Sequence, residues 1–462
     1  MTKHRIESDS LGDIEVPIDA LYGPQTQRAL DNFQVSGQTL PDAFLRALIK
    51  IKRAAAEANA ELGCLNDGIA NAIIEACNQL LDMGDILQHF PVDIFQTGSG
   101  TSSNMNANEV IANLASKCID VKVDPNDHVN YGQSSNDVIT STINVSAAFK
   151  LVEELEPALS HLITVIDERG TELYNVCKTG RTHLMDAMPI TFGQCLSGWS
   201  SQLKQHHRHL ASLKPLIFQL ALGGTAVGTG VNAHPQFADT VNNLLSKSSG
   251  LSFVKSDNFF AAISSQDSSV SLSGAIKSLA VTLMKIANDL RWMNSGPLAG
   301  LAEISLPSLQ PGSSIMPGKV NPVVPESVTM VAAQIIGNDT AITVGGQSGN
   351  FELNVMLPMI ANNLLSSLTL SANACRMLAD KAVKGFTVNT DMLNKTLSRN
   401  PVLVTALNPI IGYSAAAEIA KKAYTENKPI LDIAEQETNL SREKLLKLLD
   451  PIKLADNKTH SS

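Results

Sequence analysis

Leu272, Ile276, Leu279, Leu283, Ile286 and Leu290 follow one another at steps of four and three. That spacing lays a single apolar stripe along about five turns of helix. A stripe this long cannot belong to an isolated surface helix, because it must be covered along its whole length. Ala148, Leu151, Leu155, Leu159, Leu162 and Ile166 repeat the pattern, as do Leu196, Trp199, Leu203, Leu210 and Leu213. Pro157 lies inside the first of these repeats and is expected to kink the helix or mark its start. Several such stripes predict a bundle of long helices, and sustained β-like alternation is scarce. The chain is therefore predicted to be all-α. Before about residue 130, Gly and Pro signals break the pattern into short helices, and after Lys384 it shortens again. The expected organisation is an N-terminal mainly helical domain over 1–132, a central long-helix bundle over 133–390 and a small C-terminal helical domain over 391–462. The tail after Leu454 is the one stretch expected to be disordered.

Composition narrows the function. Only 17% of the 462 residues are charged and 4% aromatic, against about 25% charged in a typical globular chain. Aliphatic helix packing, with much of the surface covered by partner subunits, fits those values. The net charge of −9 argues against a nucleic-acid binder, which needs a basic face to neutralise phosphates. No segment approaches the roughly 20 continuous apolar residues of a membrane span. The first residues show no targeting segment. Cys64, Cys77, Cys118, Cys177, Cys195 and Cys375 are scattered without a CxxC, so a cytoplasmic, reducing setting is expected.

Four segments break the helix rules. Gly98-Ser99-Gly100-Thr101-Ser102-Ser103-Asn104 offers hydroxyls and glycine amides that can cradle an anion or cap a helix. Gln133-Ser134-Ser135-Asn136-Asp137 offers the same two readings ahead of a long helix. Gly180-Arg181-Thr182-His183 sets a histidine beside a hydroxyl, fit for acid–base work or for a structural hydrogen bond. Pro311-Gly312-Ser313-Ser314-Ile315-Met316-Pro317-Gly318-Lys319-Val320-Asn321-Pro322 is too punctuated for helix or strand. It reads as a mobile, substrate-closing loop or as a connector. His206, His207 and His209 lack the i, i+4 pair of a zinc helix and read as a solvated face. Gly223–Gly230 is glycine-rich without the strand context of a nucleotide loop and is read as a close-packing segment.

GSSIMPGKVNP resembles the signature of the fumarase/aspartase superfamily. TGSGTSSNMNANEV, GQSSNDV, GRTHLMDAMP, LGGTAVGTG and SGNFELNVMLP resemble further blocks of that family, in the same order. The likeness runs from about Gly12 into the C-terminal domain and is strongest to the class II, iron-free fumarate hydratases. It implies a three-domain all-α fold and a homotetramer around a long helical bundle, with each active site shared by three subunits. It also implies reversible anti addition of water to fumarate, giving L-malate, as a step of the tricarboxylic acid cycle, with no metal and no cofactor. Residue by residue, it makes Ser313 the base, His183 the acid/base histidine and Glu326 its carboxylate partner. Ser99, Gly100, Thr101, Ser134, Ser135, Asn136, Thr182, Ser314, Lys319, Val320 and Asn321 match substrate-contacting positions. Asp124, Pro125, Asn126 and Asp127 match a second dicarboxylate site, the B site. That site usually begins with histidine, and an acid at Asp124 is expected to weaken anion binding there.

The chemistry explains these residue types. The proton lost from malate lies next to a carboxylate, so the reaction passes through an aci-carboxylate dianion. Dense positive potential is needed at that carboxylate, and one well-placed donor is worth about 3–4 kcal/mol. A serine base needs a stabilised alkoxide, for which loop N–H groups, Lys319 and exclusion of water are the means. Glu326 follows Pro325 at an expected helix start, where the dipole favours its ionised form. The nearest rival is aspartase: Asn321-Pro322-Val323-Val324-Pro325-Glu326 is more aspartase-like, whereas Gly318, Ser134-Ser135-Asn136, Ser99 and SGNFELNV favour fumarase. A non-catalytic structural homologue is the rival of another class.

Overall fold

The computed structural model describes residues 4–456; from Asn457 on, the tail expected to be disordered lies outside them. Among the described residues, strands occur only as two-stranded pairs, and the rest of the regular structure is helical, as expected. The chain divides into two compact units. Among the described residues, the first holds those up to 157, 208–280 and 332–372; the second holds 158–207, 281–331 and those from 373 on. The helices Glu156–Glu172, Phe192–Ser212, Asp267–Met293, Val323–Gly346 and Leu357–Leu378 each contribute residues to both.

The stripes are where the sequence puts them. All six residues from Leu272 to Leu290 are at most 1% exposed, and the six from Ala148 to Ile166 are fully buried. Burying each Leu or Ile of these stripes contributes about 1.5–3 kcal/mol. Asp267–Met293 is long and apolar enough to cross a membrane, but its apolar face is packed inside the protein, as in a core helix. In the third stripe, Leu196, Trp199, Leu203 and Leu210 are buried. Leu213 falls one residue beyond the helix end at Ser212 and is only half-buried. The disturbance expected at Pro157 is present. Helix Ser135–Phe149 passes into π geometry over Lys150–Leu155 before Glu156–Glu172 begins. The proline ring conflicts with the carbonyl four residues back, at Glu153, and the widened turn accommodates it.

In the first unit, helix Asp42–Glu61 packs on helices Asp67–Asp82 and Ser135–Phe149. Polar ties set register: Asp339 accepts from Ser273 Oγ at 2.8 Å and Lys277 Nζ at 2.6 Å, and Asn338 Nδ2 donates to Ser367 Oγ at 3.1 Å. The segment 223–230 packs closely, as read. A Cβ on Gly223 would come within 2.5 Å of the Ala238 Cβ, and one on Gly224 within 2.9 Å of the Phe259 side chain. In the second unit, Leu403, Leu407, Ile419, Ile433 and Leu445 belong to one buried cluster of the C-terminal helices. The antiparallel hairpin Cys177–Thr182 with Met185–Thr191 was not marked in the sequence.

Candidate functional site

In the first unit the Gly98–Asn104 segment is a loop ending in the helix Thr101–Ser116. Gly100 sits at φ 71°, a left-handed conformation that glycine adopts without strain, and lets the chain turn into the helix. Gly98 lies so close to the Val355 backbone that a Cβ would meet its carbonyl oxygen at 1.8 Å. Its own carbonyl accepts from Leu357 N–H at 2.9 Å, which joins the first motif to the SGNFELNVMLP block. Ser99 Oγ and Thr101 Oγ1 are hydrogen-bonded at 2.8 Å.

Ser134 is the N-cap of the helix Ser135–Phe149, in a capping box with Asp137. The capping alternative thus holds for Ser134, whose oxygen accepts from Asn136 N–H at 3.2 Å. Asp137 is wholly buried. It accepts from Ser134 N–H at 2.9 Å and, across the unit, from Gly223 N–H at 3.0 Å and Thr225 N–H at 2.9 Å. Burial pushes its carboxyl up, and those N–H groups oppose the rise. Asn136 Nδ2 donates to Ala226 O at 2.8 Å. Ser135 Oγ accepts from Asn104 Nδ2 at 3.1 Å. The first unit therefore gathers Ser99, Thr101, Ser134, Ser135 and Asn136 at or beside two helix N-termini, whose dipoles favour an anion.

Asp124 caps the π turn Pro125–Val129. Its Oδ1 accepts from Asn126 N–H at 2.8 Å and Asp127 N–H at 2.9 Å. Both amides are thus held by the chain's own carboxylate.

In the second unit the loop 311–322 folds back on itself. Gly312 N–H donates to Lys319 O at 2.9 Å, and Asn321 Nδ2 donates to Gly312 O at 2.6 Å. A Cβ on Gly312 would lie 2.4 Å from the Lys319 carbonyl oxygen, so only glycine permits this closure. Ser313 Oγ accepts from Met316 N–H at 3.0 Å and Ile315 N–H at 3.3 Å. Two donors aimed at one hydroxyl oxygen are what a serine alkoxide requires. Ser314, Lys319 and Val320 are exposed, and Ser313 and Asn321 are half-buried. Lys319, Val320, Asn321 and Glu326 line a cavity of about 840 Å³, together with Arg291 and Trp292. Glu326 stands in the first turn of the helix Val323–Gly346. Arg291, which the sequence reading did not single out, is the second cation of this cavity.

Thr182 and His183 occupy the tip of the hairpin Cys177–Thr191, and both are exposed. His183 and Leu184 form its two-residue turn with φ 56° and 59°. Positive φ at both positions defines a type I′ turn, which Asn-Gly usually fills. Holding two non-glycine residues there costs about 1–3 kcal/mol each, a form of strain that clusters at functional sites. The strands beneath are fixed by Glu303, whose side chain is 3% exposed. Its carboxylate takes Lys178 Nζ at 2.6 Å and Arg181 Nη2 at 2.8 Å. Lys178, Arg181 and His183 line a second cavity of about 430 Å³, with Lys285, Asp289 and Trp292. Trp292 stands in the wall of both cavities. Among the described residues no ion pair joins His183 to Glu326 within one chain. Glu303 and Lys178 were missed because their pairing spans 125 residues and follows no local spacing.

A family described as "Lyase" matches residues 12–337, and one described as "Fumarase C C-terminus" matches residues 403–456. A fumarate hydratase class II of Pseudomonas aeruginosa is 62% identical over 98% of this chain and 99% of its own length. One from Xylella fastidiosa is 55% identical over 99% and 97%. The crystal structure of a recombinant class II fumarase from Schistosoma mansoni superposes with a TM-score of 0.95 at 39% identity, covering 98% of this chain and 99% of the other. The fold and these blocks define a lyase of the fumarase/aspartase superfamily, and the chain belongs to its class II fumarate hydratase family.

Proposed function

We infer that the protein is a hydro-lyase that adds water reversibly and anti across fumarate to give L-malate, a step of the tricarboxylic acid cycle. The observation that carries the reading is the closed loop 311–322, with two N–H groups on Ser313 Oγ, in a chain 62% identical to a class II fumarate hydratase. In the dehydrating direction Ser313 Oγ takes the proton from C3 of malate. The electron pair left on carbon moves into the adjacent carboxylate, forming the aci-carboxylate dianion. The hydroxyl then leaves C2 as water after protonation, and His183, paired across the subunit boundary with Glu326 of a neighbouring copy, governs that proton. Lys319, Asn321 and Ser314 hold the carboxylate that gathers charge, and Val320 shapes that end of the site. Ser99, Gly100, Thr101, Ser134, Ser135, Asn136 and Thr182 hold the substrate so that the departing groups lie anti.

The working form is a homotetramer with sites completed by neighbouring subunits. Exposed Thr182, His183 and Lys319 support that reading, as do the exposed apolar Val281, Met330 and Val344 on long helices. Light scattering tests it, and a monomeric active enzyme overturns it. The six cysteines are all free, which supports a cytoplasmic, reducing location. Asp124 accepts from the amides of Asn126 and Asp127, which supports weakened dicarboxylate binding at the B site.

The decisive assay follows fumarate absorbance with purified protein, first with L-malate and then with L-aspartate. Fumarate from malate alone is expected. Fumarate and ammonia from aspartate would make the protein an aspartase, and no turnover of either would make it a non-catalytic homologue.

A further inference from the structure

Lys52 occupies the apolar face of helix Asp42–Glu61, between Leu48 and Ala55, and is wholly buried. A lysine is almost never fully buried unless its charge is paired. Among the described residues no carboxylate lies within ion-pair distance of it. Instead its ammonium donates to Asn130 Oδ1 at 2.9 Å and to Gln133 Oε1 at 3.0 Å. Asn130 Oδ1 also accepts from Asn104 Nδ2 and Asn108 Nδ2, each at 3.2 Å. Asn104 Nδ2 passes the connection to Ser135 Oγ. Gln133 Nε2 in turn donates to Val129 O at 3.1 Å and Tyr131 O at 3.2 Å. The segment 129–135 is thus built around one ammonium group.

The groups facing that charge leave it unneutralised. Asp137 is the acid that acts on it, but its oxygens are spent on three backbone N–H groups. The buried Cys77 thiol is pushed up to about 12 and is therefore neutral. The ammonium lies beneath residues that open the helices Thr101–Ser116 and Ser135–Phe149, so its field adds to their positive ends. Burial also lowers its own proton affinity, to about 7, which marks how much the surroundings resist the charge. Apolar side chains of similar volume would fill this position at lower cost.

We propose that Lys52 is a positioning residue for the carboxylate-binding loop Gln133–Asn136, holding it through Gln133 and Asn130 and supplying positive potential beneath the bound dicarboxylate. The proposal rests on the reading of that loop as a substrate contact. It separates two contributions, donors and charge, which different substitutions remove.

The test is steady-state kinetics with L-malate on the full-length protein at about pH 6, below the value near 7 at which Lys52 loses its charge. Lys52→Met removes both contributions, and KM is expected to rise about tenfold while kcat falls less than about threefold. Lys52→Gln keeps N–H donors without charge and is expected to recover part of the lost affinity. A merely structural lysine would lower stability without this split between KM and kcat and without recovery by Gln. Should neither Lys52 variant fold, Gln133→Met at a half-buried loop position decides the matter, because it removes one acceptor and is expected to raise KM in the same direction. Asn136→Ala is the control for the loop. If it raises KM while Lys52→Met and Gln133→Met leave KM unchanged, the proposal is overturned and the loop reading stands. If Asn136→Ala itself leaves KM unchanged, the loop reading falls and the proposal falls with it.

Discussion

Replacing Glu303 with Gln tests how the His183 hairpin is held. The carboxylate is 3% exposed and takes Lys178, 6% exposed, and Arg181, 18% exposed. An amide at this position keeps the shape but offers one oxygen, and its NH2 group faces a cation. Arg181 retains the oxygen and some solvent. The Lys178 ammonium is left buried without its carboxylate, facing the Phe192 ring, whose centroid lies 5.2 Å from Nζ. Removing one partner of a buried pair costs about 3–5 kcal/mol. The unfolding entropy is about 2.1 cal/mol/K per residue, so for 462 residues each kcal/mol shifts the melting temperature by only about 1 °C. A fall of about 3–5 °C is therefore expected at fixed scan rate, with reduced kcat/KM because the strands carrying Thr182 and His183 loosen. Lys178→Met added to Glu303→Gln removes the stranded charge and is expected to restore most of the melting temperature. A single variant that melts within about 1 °C of the parent, or a double variant no better than the single, would refute the argument.

Ser313→Ala is expected to lower kcat for malate dehydration by about 10²–10⁴-fold with a smaller change in KM; an unchanged kcat removes Ser313 from the proton transfer. Gly312→Ala cannot keep the loop closed against the Lys319 carbonyl at 2.4 Å, so kcat should fall while the melting temperature stays close to that of the parent. Lys52 binds its proton more weakly folded, near 7, than unfolded, at about 10.4. Between those values the unfolded chain holds more protons, so this lysine makes stability rise with pH from about 7 to about 10.4. Urea unfolding of parent and Lys52→Met across that range checks the sign, because the variant should lack that part of the slope.

The sequence by itself determined the helices and their buried faces. The stripe from Leu272 to Leu290 is legible because helical periodicity is a local property, and Pro157 announces its own irregularity for the same reason. The loop 311–322 is legible too, since glycine and proline dictate backbone conformation wherever they stand. Capping at Ser134 could be read from the Ser-x-x-Asp spacing alone. The supports of the site could not. Lys52 carried a faint signal, a charge on an apolar face, but its acceptors at Asn130 and Gln133 lie 78 and 81 residues away. Glu303 reaches back 125 and 122 residues to Lys178 and Arg181. The strained turn at His183 has no Asn-Gly to mark it, and Asp124 looked like a lost cation until its carboxylate was seen on the amides of Asn126 and Asp127. Tertiary structure decided these features because burial changes what a charge costs. Which buried groups meet is fixed by the packing of elements distant in sequence, and no local pattern encodes that.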